Sequence, residues 1–262
     1  MNQPQKIFCF CTLALGKKYR ILSQQLAGDL AKFSPESVLA VGTDEPKEFS
    51  NYPKIIPFKH HKQGILHCYH DRRFVIEKAL SMFPVAIHID ADTRILNNIP
   101  TEIVWLPGIT ARQKNLIEHV SKFSAERLPY LRKVASKLNI PIENTNWIGE
   151  SLYVVTRDGG REKEFIRCWG MIGKYLEMNG IHAGDGNAMG LAAAKVGWTV
   201  NSDGWEKLKN VTQHLDASYG DSNLTPQVQI TFWDKLKSRL DYHYRLNRVR
   251  LMALKDFDFY YR

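Results

Sequence analysis

Two carboxylates one residue apart, Asp90 and Asp92, follow the apolar run of residues 83–89 (FPVAIHI). A run of that length, rich in β-branched residues, reads as a buried strand. On an extended backbone, residues i and i+2 point the same way, so both carboxylates would converge just beyond the sheet. Hard divalent cations take oxygen ligands, and Mg²⁺ or Mn²⁺ keeps open positions for substrate phosphates. The spacing therefore predicts a Mn²⁺ or Mg²⁺ site that holds a nucleoside diphosphate, against the alternative of a solvated turn at a strand end. A second triplet, Asp256-Phe257-Asp258, has no apolar run before it and reads as surface chemistry.

Other residues have chemistry to offer the same crevice. Asp44 follows the second apolar run and reads either as a ribose or base contact or as a turn former. Arg72 and Arg73 begin the helix that feeds the Asp90 strand, and a guanidinium fork suits phosphate or carboxylate. Asp185, between Gly184 and Gly186, is either a catalytic or substrate-binding carboxylate or the cap of the helix that follows. Glu150 is a second candidate carboxylate, or an ordinary strand-edge residue. His214 is a candidate third metal ligand, or a surface histidine. His60, His61, His67 and His70 cluster around Cys68, but no second ligand pair stands at zinc spacing.

The elements that would position these groups alternate. Residues 6–12 read as a strand, 17–33 as a helix, 37–41 and 55–58 as strands, and 73–82 as a helix. After the Asp90 strand, 112–138 reads as a polar, helical insertion. Residues 147–156 resume strand character, 161–178 and 188–196 are helical, and 198–200 form a late strand. Strands alternating with helices predict an α/β fold with ligands over the carboxyl ends of the strands. Neither a dinucleotide fingerprint nor a P-loop is present. The expected organisation is one catalytic domain over 1–225, with a helical insertion at about 112–140 and a basic helical extension over 226–262.

The 262 residues, 44% hydrophobic and 24% charged, suit a globular domain with a sizeable core. No run approaches the ~20 apolar residues of a membrane span, and residues 1–6 lack a secretory layout. Four cysteines without paired spacing point to a reducing cytoplasm. The net charge of +9 is uneven: residues 235–262 hold eight Lys/Arg against three Asp, a net of +5. Interleaved aromatics there favour a packing or interfacial helix, with peripheral contact at the inner membrane surface, over a nucleic-acid tail.

Together these pieces resemble a nucleotide-sugar glycosyltransferase of the GT-A fold, and within it glycosyltransferase family six, which includes the blood-group A and B transferases. Leu15-Gly16-Lys17-Lys18-Tyr19 resembles the family's nucleobase-contacting segment. Val41-Gly42-Thr43-Asp44 resembles its F-T-D-like strand end. Asp71-Arg72-Arg73 resembles its arginine-bearing helix start, and His88-Ile89-Asp90-Ala91-Asp92 its D-V-D. The resemblance covers roughly residues 6–200. It implies a Rossmann-like mixed sheet flanked by helices, and a Mn²⁺ or Mg²⁺ ion on Asp90 and Asp92, to which the residue reading adds His214 as a candidate third ligand. It further implies donor contacts from Tyr19, Asp44, Arg72 and Arg73 and a role for Asp185; Thr12 and Ala91 are expected beside the donor, and Glu150 is the second catalytic candidate. A sugar would pass from a nucleoside diphosphate, with UDP favoured, to the hydroxyl of a glycan or lipid-linked acceptor. One position departs: where the family reads W-H-D-E-S, Gly186 replaces the Glu, which leaves the stereochemical course open. A nucleotidyltransferase using the same acids and a non-catalytic nucleic-acid-binding protein are the alternatives.

Overall fold

The computed structural model describes residues 8–100, 102–217 and 231–262. The strand start expected at Lys6 and the domain boundary expected at 225/226 lie outside these residues. Strand β1 (Phe8–Ala14) leads through helix α1 (Lys17–Phe33) to β2 (Leu39–Thr43) and β3 (Ile55–Lys59). Helix α2 (Arg72–Met82) feeds β4 (Val85–Ile89), followed by the short β5 (Thr93–Ile95) and by β6 (Gly108–Asn115). Helices α3 (Leu116–Phe123) and α4 (Leu128–Lys137) precede the long β7 (Asn146–Thr156). Helices α5 (Arg161–Met178), α6 (Asp185–Lys195) and α7 (Trp205–Lys209) lead to β8 (Thr212–His214), and α8 (Phe232–Ala253) and α9 (Phe257–Tyr261) close the chain.

Among the described residues, six strands form one sheet in the order β3-β2-β1-β4-β7-β6. The first four are parallel, whereas β7 runs antiparallel to β4 and β6 antiparallel to β7. The fold is thus α/β with a mixed sheet between helices. Strand β1 explains why the sheet needs cover on both faces. Cys9 and Cys11 enter the core shared with α2 and α5, while Phe10 and Ala14 enter the core shared with α1. The chain steps from β1 outward to β2 and returns on the other side of β1 as β4. Their carboxyl ends therefore frame the crevice at which open sheets bind ligands.

Three expectations are corrected. Residues 112–115 are not helical but finish β6, and the helical insertion begins at Leu116, where Asn115 caps α3 by accepting from the Glu118 N–H. Strand β6 was hidden because its second half is polar and its ladder shifts between Ala111 and Gln113. Residues 198–200 form no strand, and the segment meets the sheet edge through a Thr110–Asn201 bridge and through Gln113 Nε2, which donates to the Val200 carbonyl at 2.9 Å. The acids do not lie on extended backbone either: β4 stops at Ile89, and the Thr93 N–H donates to the Asp90 carbonyl at 3.0 Å, closing a turn.

Helix α6 lies unusually close to β7. A Cβ at Gly186 would overlap the Ile148 carbonyl oxygen, and one at Gly190 the Asn146 carbonyl oxygen. A side chain at 186 would therefore meet the β7 backbone. Gly186→Ala is expected to lower stability by about 2 kcal/mol, because backbone overlap outweighs the roughly 1 kcal/mol of helix propensity that alanine brings. Gly28→Ala is the control. Gly28 is an exposed position in α1 with nothing within 4 Å of its would-be Cβ, so urea unfolding should show no loss there.

Candidate metal centre

The turn after β4 carries Asp90 and Asp92, and the two-stranded ribbon of β5 and β8 brings the third group. Thr93 pairs with His214 across this ribbon. One ligand atom each from Asp90, Asp92 and His214 all lie within 4.8 Å of one another. His214 Nδ1 is 3.4 Å from Asp92 Oδ1 and 3.3 Å from the Thr93 hydroxyl. Donors around an ion at ~2.1 Å stand about 3–4 Å apart, so small side-chain rotations close the set. Two carboxylates and one imidazole suit a borderline ion such as Mn²⁺ somewhat better than Mg²⁺, which prefers oxygen throughout.

The segment after β8 clasps the acidic turn. The Leu215 N–H donates to the Asp92 carbonyl at 2.9 Å, and the Ala217 N–H to Asp92 Oδ2 at 2.8 Å. Lys18 Nζ donates to the Ala217 carbonyl at 2.6 Å. Asp216 takes a left-handed conformation, φ 52°, to make the turn. Ala91 is buried against Leu22 and Ala217, and Tyr19 packs on the same cluster. The start of α1 thus lies against the acidic turn.

Arg72 is the hinge of the site. Its Nη2 is 2.7 Å from Asp90 Oδ1, and its Nη1 is 3.0 Å from Asp185 Oδ2. The guanidinium spends its fork on two carboxylates, so it positions Asp90 rather than standing free for phosphate. Burial raises the Asp90 pKa to about 6 against the pull of Arg72, with Asp92 and Asp185 adding repulsion. Asp185 lies in the first turn of α6, with Gly184 (φ 83°) at the cap and no capping bond from a side chain. The N-cap alternative is therefore corrected. Its side chain has no accessible surface, so in this conformation it meets Arg72 and not an acceptor.

Glu150 accepts from the Gly186 N–H at 3.0 Å and keeps partial exposure. Burial and the charge of Asp185 push its pKa well above the usual carboxylate range. Below these acids lie two polar groups that the sequence reading did not weigh. His88 on β4 and Tyr153 on β7 sit opposite one another in the ladder and stack at 4.6 Å. Among the described residues, both His88 ring nitrogens and the Tyr153 hydroxyl lack a hydrogen-bond partner. Burial, with Arg72 nearby, drives the His88 pKa well down and keeps the ring neutral. The available signal was a histidine inside the otherwise aliphatic strand VAIHI.

The remaining predicted residues fall elsewhere or are already engaged. Arg73 turns away from the acids, donating to the His70 carbonyl and lying 3.8 Å from the Phe74 ring centroid. Asp44 accepts from the Gly16 N–H and from Arg20 Nη1 at 2.8 Å, which ties the β2 end to the start of α1. Thr12 is wholly buried in β1. The histidine cluster forms no metal group among the described residues. His70 is buried, with Nδ1 accepting from the Trp169 indole at 3.2 Å. Comparison with models of known protein families and with curated proteins found no match.

Proposed function

We propose that this chain is a metal-dependent glycosyltransferase of the GT-A type, moving a sugar from a nucleoside diphosphate donor to a hydroxyl acceptor. The observation that carries the reading is the convergence of Asp90, Asp92 and His214 at the carboxyl end of β4, beside the β1–β4 crevice. Parallel strands at that crevice, antiparallel β7 and β6 beyond it, and Tyr19 against the acidic turn all support it. So do the residue patterns shared with glycosyltransferase family six, and UDP is favoured on that resemblance.

A bound Mn²⁺ or Mg²⁺ would neutralise charge developing on the departing diphosphate. Asp90, Asp92 and His214 would hold it, and Arg72 would fix Asp90 in place. The Ala217 N–H holds Asp92 through its second oxygen. Tyr19 and Ala91, which pack on the acidic turn, would lie beside the nucleotide. Glu150, partly exposed and with raised proton affinity, would be the carboxyl to exchange a proton with an acceptor hydroxyl. Asp185 orients Arg72. Unpaired cysteines, Cys9, Cys11, Cys68 and Cys168, fit work in a reducing cytoplasm.

The deciding experiment titrates Mn²⁺ into protein with UDP-, GDP- or CDP-sugars and identifies the products of donor turnover. Free nucleoside diphosphate, lost on chelation, is expected. Pyrophosphate release would move the reading to a nucleotidyltransferase. Metal-independent turnover, or binding of nucleic acid without any donor turnover, would overturn it.

A further inference from the structure

Helix α8 has two apolar faces. One, with Val249 and Ala253 buried and Leu246 half-buried, packs on the body, anchored by Arg245 Nε donating to the Ile65 carbonyl at 3.0 Å. The other faces solvent. Trp233, Leu236, Leu240, Tyr244, Leu251 and Leu254 follow at steps of three, four or seven residues, which places them on one stripe of an α-helix continued by Leu254. Trp233 is 73% exposed, Tyr244 68%, Leu251 67% and Leu240 62%. At 100° per residue this stripe lies roughly opposite Val249.

The same geometry fixes the charges. By helical position, Lys237 borders one side of the stripe, next to Arg248 at the mouth of the cleft against the body, and Arg239 and Arg250 border the other. The helix carries two acids. Asp234 belongs to the capping box with Thr231, and Asp241 lies beyond the cations of one border, farther from the stripe. An exposed apolar stripe bordered on both sides by cations is complementary to one kind of surface: apolar chains beneath a layer of anionic headgroups. A soluble acidic partner would match the cations but leave Trp233 and the leucines without apolar cover. No helix among the described residues is long and apolar enough to cross a membrane, so this one would lie in the interface.

We propose that α8 is an interfacial helix that docks the protein on an anionic bilayer through the stripe from Trp233 to Leu254. Aromatic and leucine side chains enter the headgroup–acyl boundary, while lysine and arginine stems reach outward to lipid phosphates.

The test is co-sedimentation of the full chain with vesicles of phosphatidylcholine, with and without phosphatidylglycerol. Binding is expected only with phosphatidylglycerol and should weaken as salt is raised. Trp233→Asp combined with Leu240→Asp should cut binding at least about tenfold while leaving the melting temperature unchanged, since both side chains are already in water. Lys237→Gln with Arg239→Gln should remove the preference for the anionic lipid. The proposal fails if the wild-type chain binds neither vesicle or both equally, or if the aspartate variant binds as well as wild type. It also fails if light scattering shows a dimer that Leu240→Asp dissociates, because the stripe would then belong to a second copy.

Discussion

An Asp92→Asn protein is expected to lose Mn²⁺ affinity by at least about a hundredfold, near 2.7 kcal/mol at 1.36 kcal/mol per decade, while remaining folded. Asparagine separates the two tasks of Asp92. Its amide oxygen still accepts from the Ala217 N–H, now made at 2.8 Å, so the clasp over the turn survives. What disappears is the negative charge facing His214, and a divalent ion held by oxygens depends on that charge. Calorimetric titration with Mn²⁺ reads the loss directly. Thermal melting provides a second readout, because an ion that binds only the folded state raises the wild-type midpoint as its concentration rises. The asparagine variant should show no such rise. An unchanged titration isotherm would remove these residues from metal chemistry, and the proposed activity with them.

Arg72→Ala is expected to be the most damaging substitution for stability, at about 3 kcal/mol, because it strips two buried carboxylates of their common partner. Arg72 is 13% exposed, Asp90 16% and Asp185 0%, so solvent offers little relief. The pH dependence has a definite sign. Asp90 already sits near 6 in the presence of the guanidinium, and its loss sends the folded-state pKa higher still. A carboxyl whose folded pKa exceeds its unfolded one favours folding while protonated and costs stability as pH rises through the interval between them. The deficit of the variant should therefore be smallest near pH 5 and largest near pH 8, measured by urea unfolding in the presence of a chelator. Arg72→Lys recovers only part of the loss, because one ammonium cannot span two acids as a fork does. A deficit independent of pH would mean that the arginine acts by packing alone.

Much of this architecture was legible because hydrophobic spacing speaks clearly where an element packs on one core. Residues 17–33 and 161–178 read as helices and fold as such, because each presents a regular apolar face to the sheet. Strand β4 was legible for the opposite reason, since it is buried on both faces. Strand β6 was not, because its polar second half mimics the start of the helices that follow. Within the site, the acids at 90 and 92 were visible by spacing, but the turn that joins them was not. The division of labour between Arg72 and Arg73 depends on which side of α2 each side chain leaves. The burial of Asp185 depends on how closely α6 approaches β7, which only Gly186 and Gly190 hint at. The position of His214 rests on a ribbon of three-residue strands, too short to announce itself in any pattern.

That ribbon has a further consequence for how the molecule matures. Asp92 and the amide that steadies it are 125 positions apart in the chain, and His214 arrives from the same late segment. While the chain is being synthesised, the acidic turn is made long before its imidazole and its clasp exist. A nascent polypeptide ending short of β8 would carry two carboxylates and no third donor. An ion that needed all three donors could be held only once translation had passed β8.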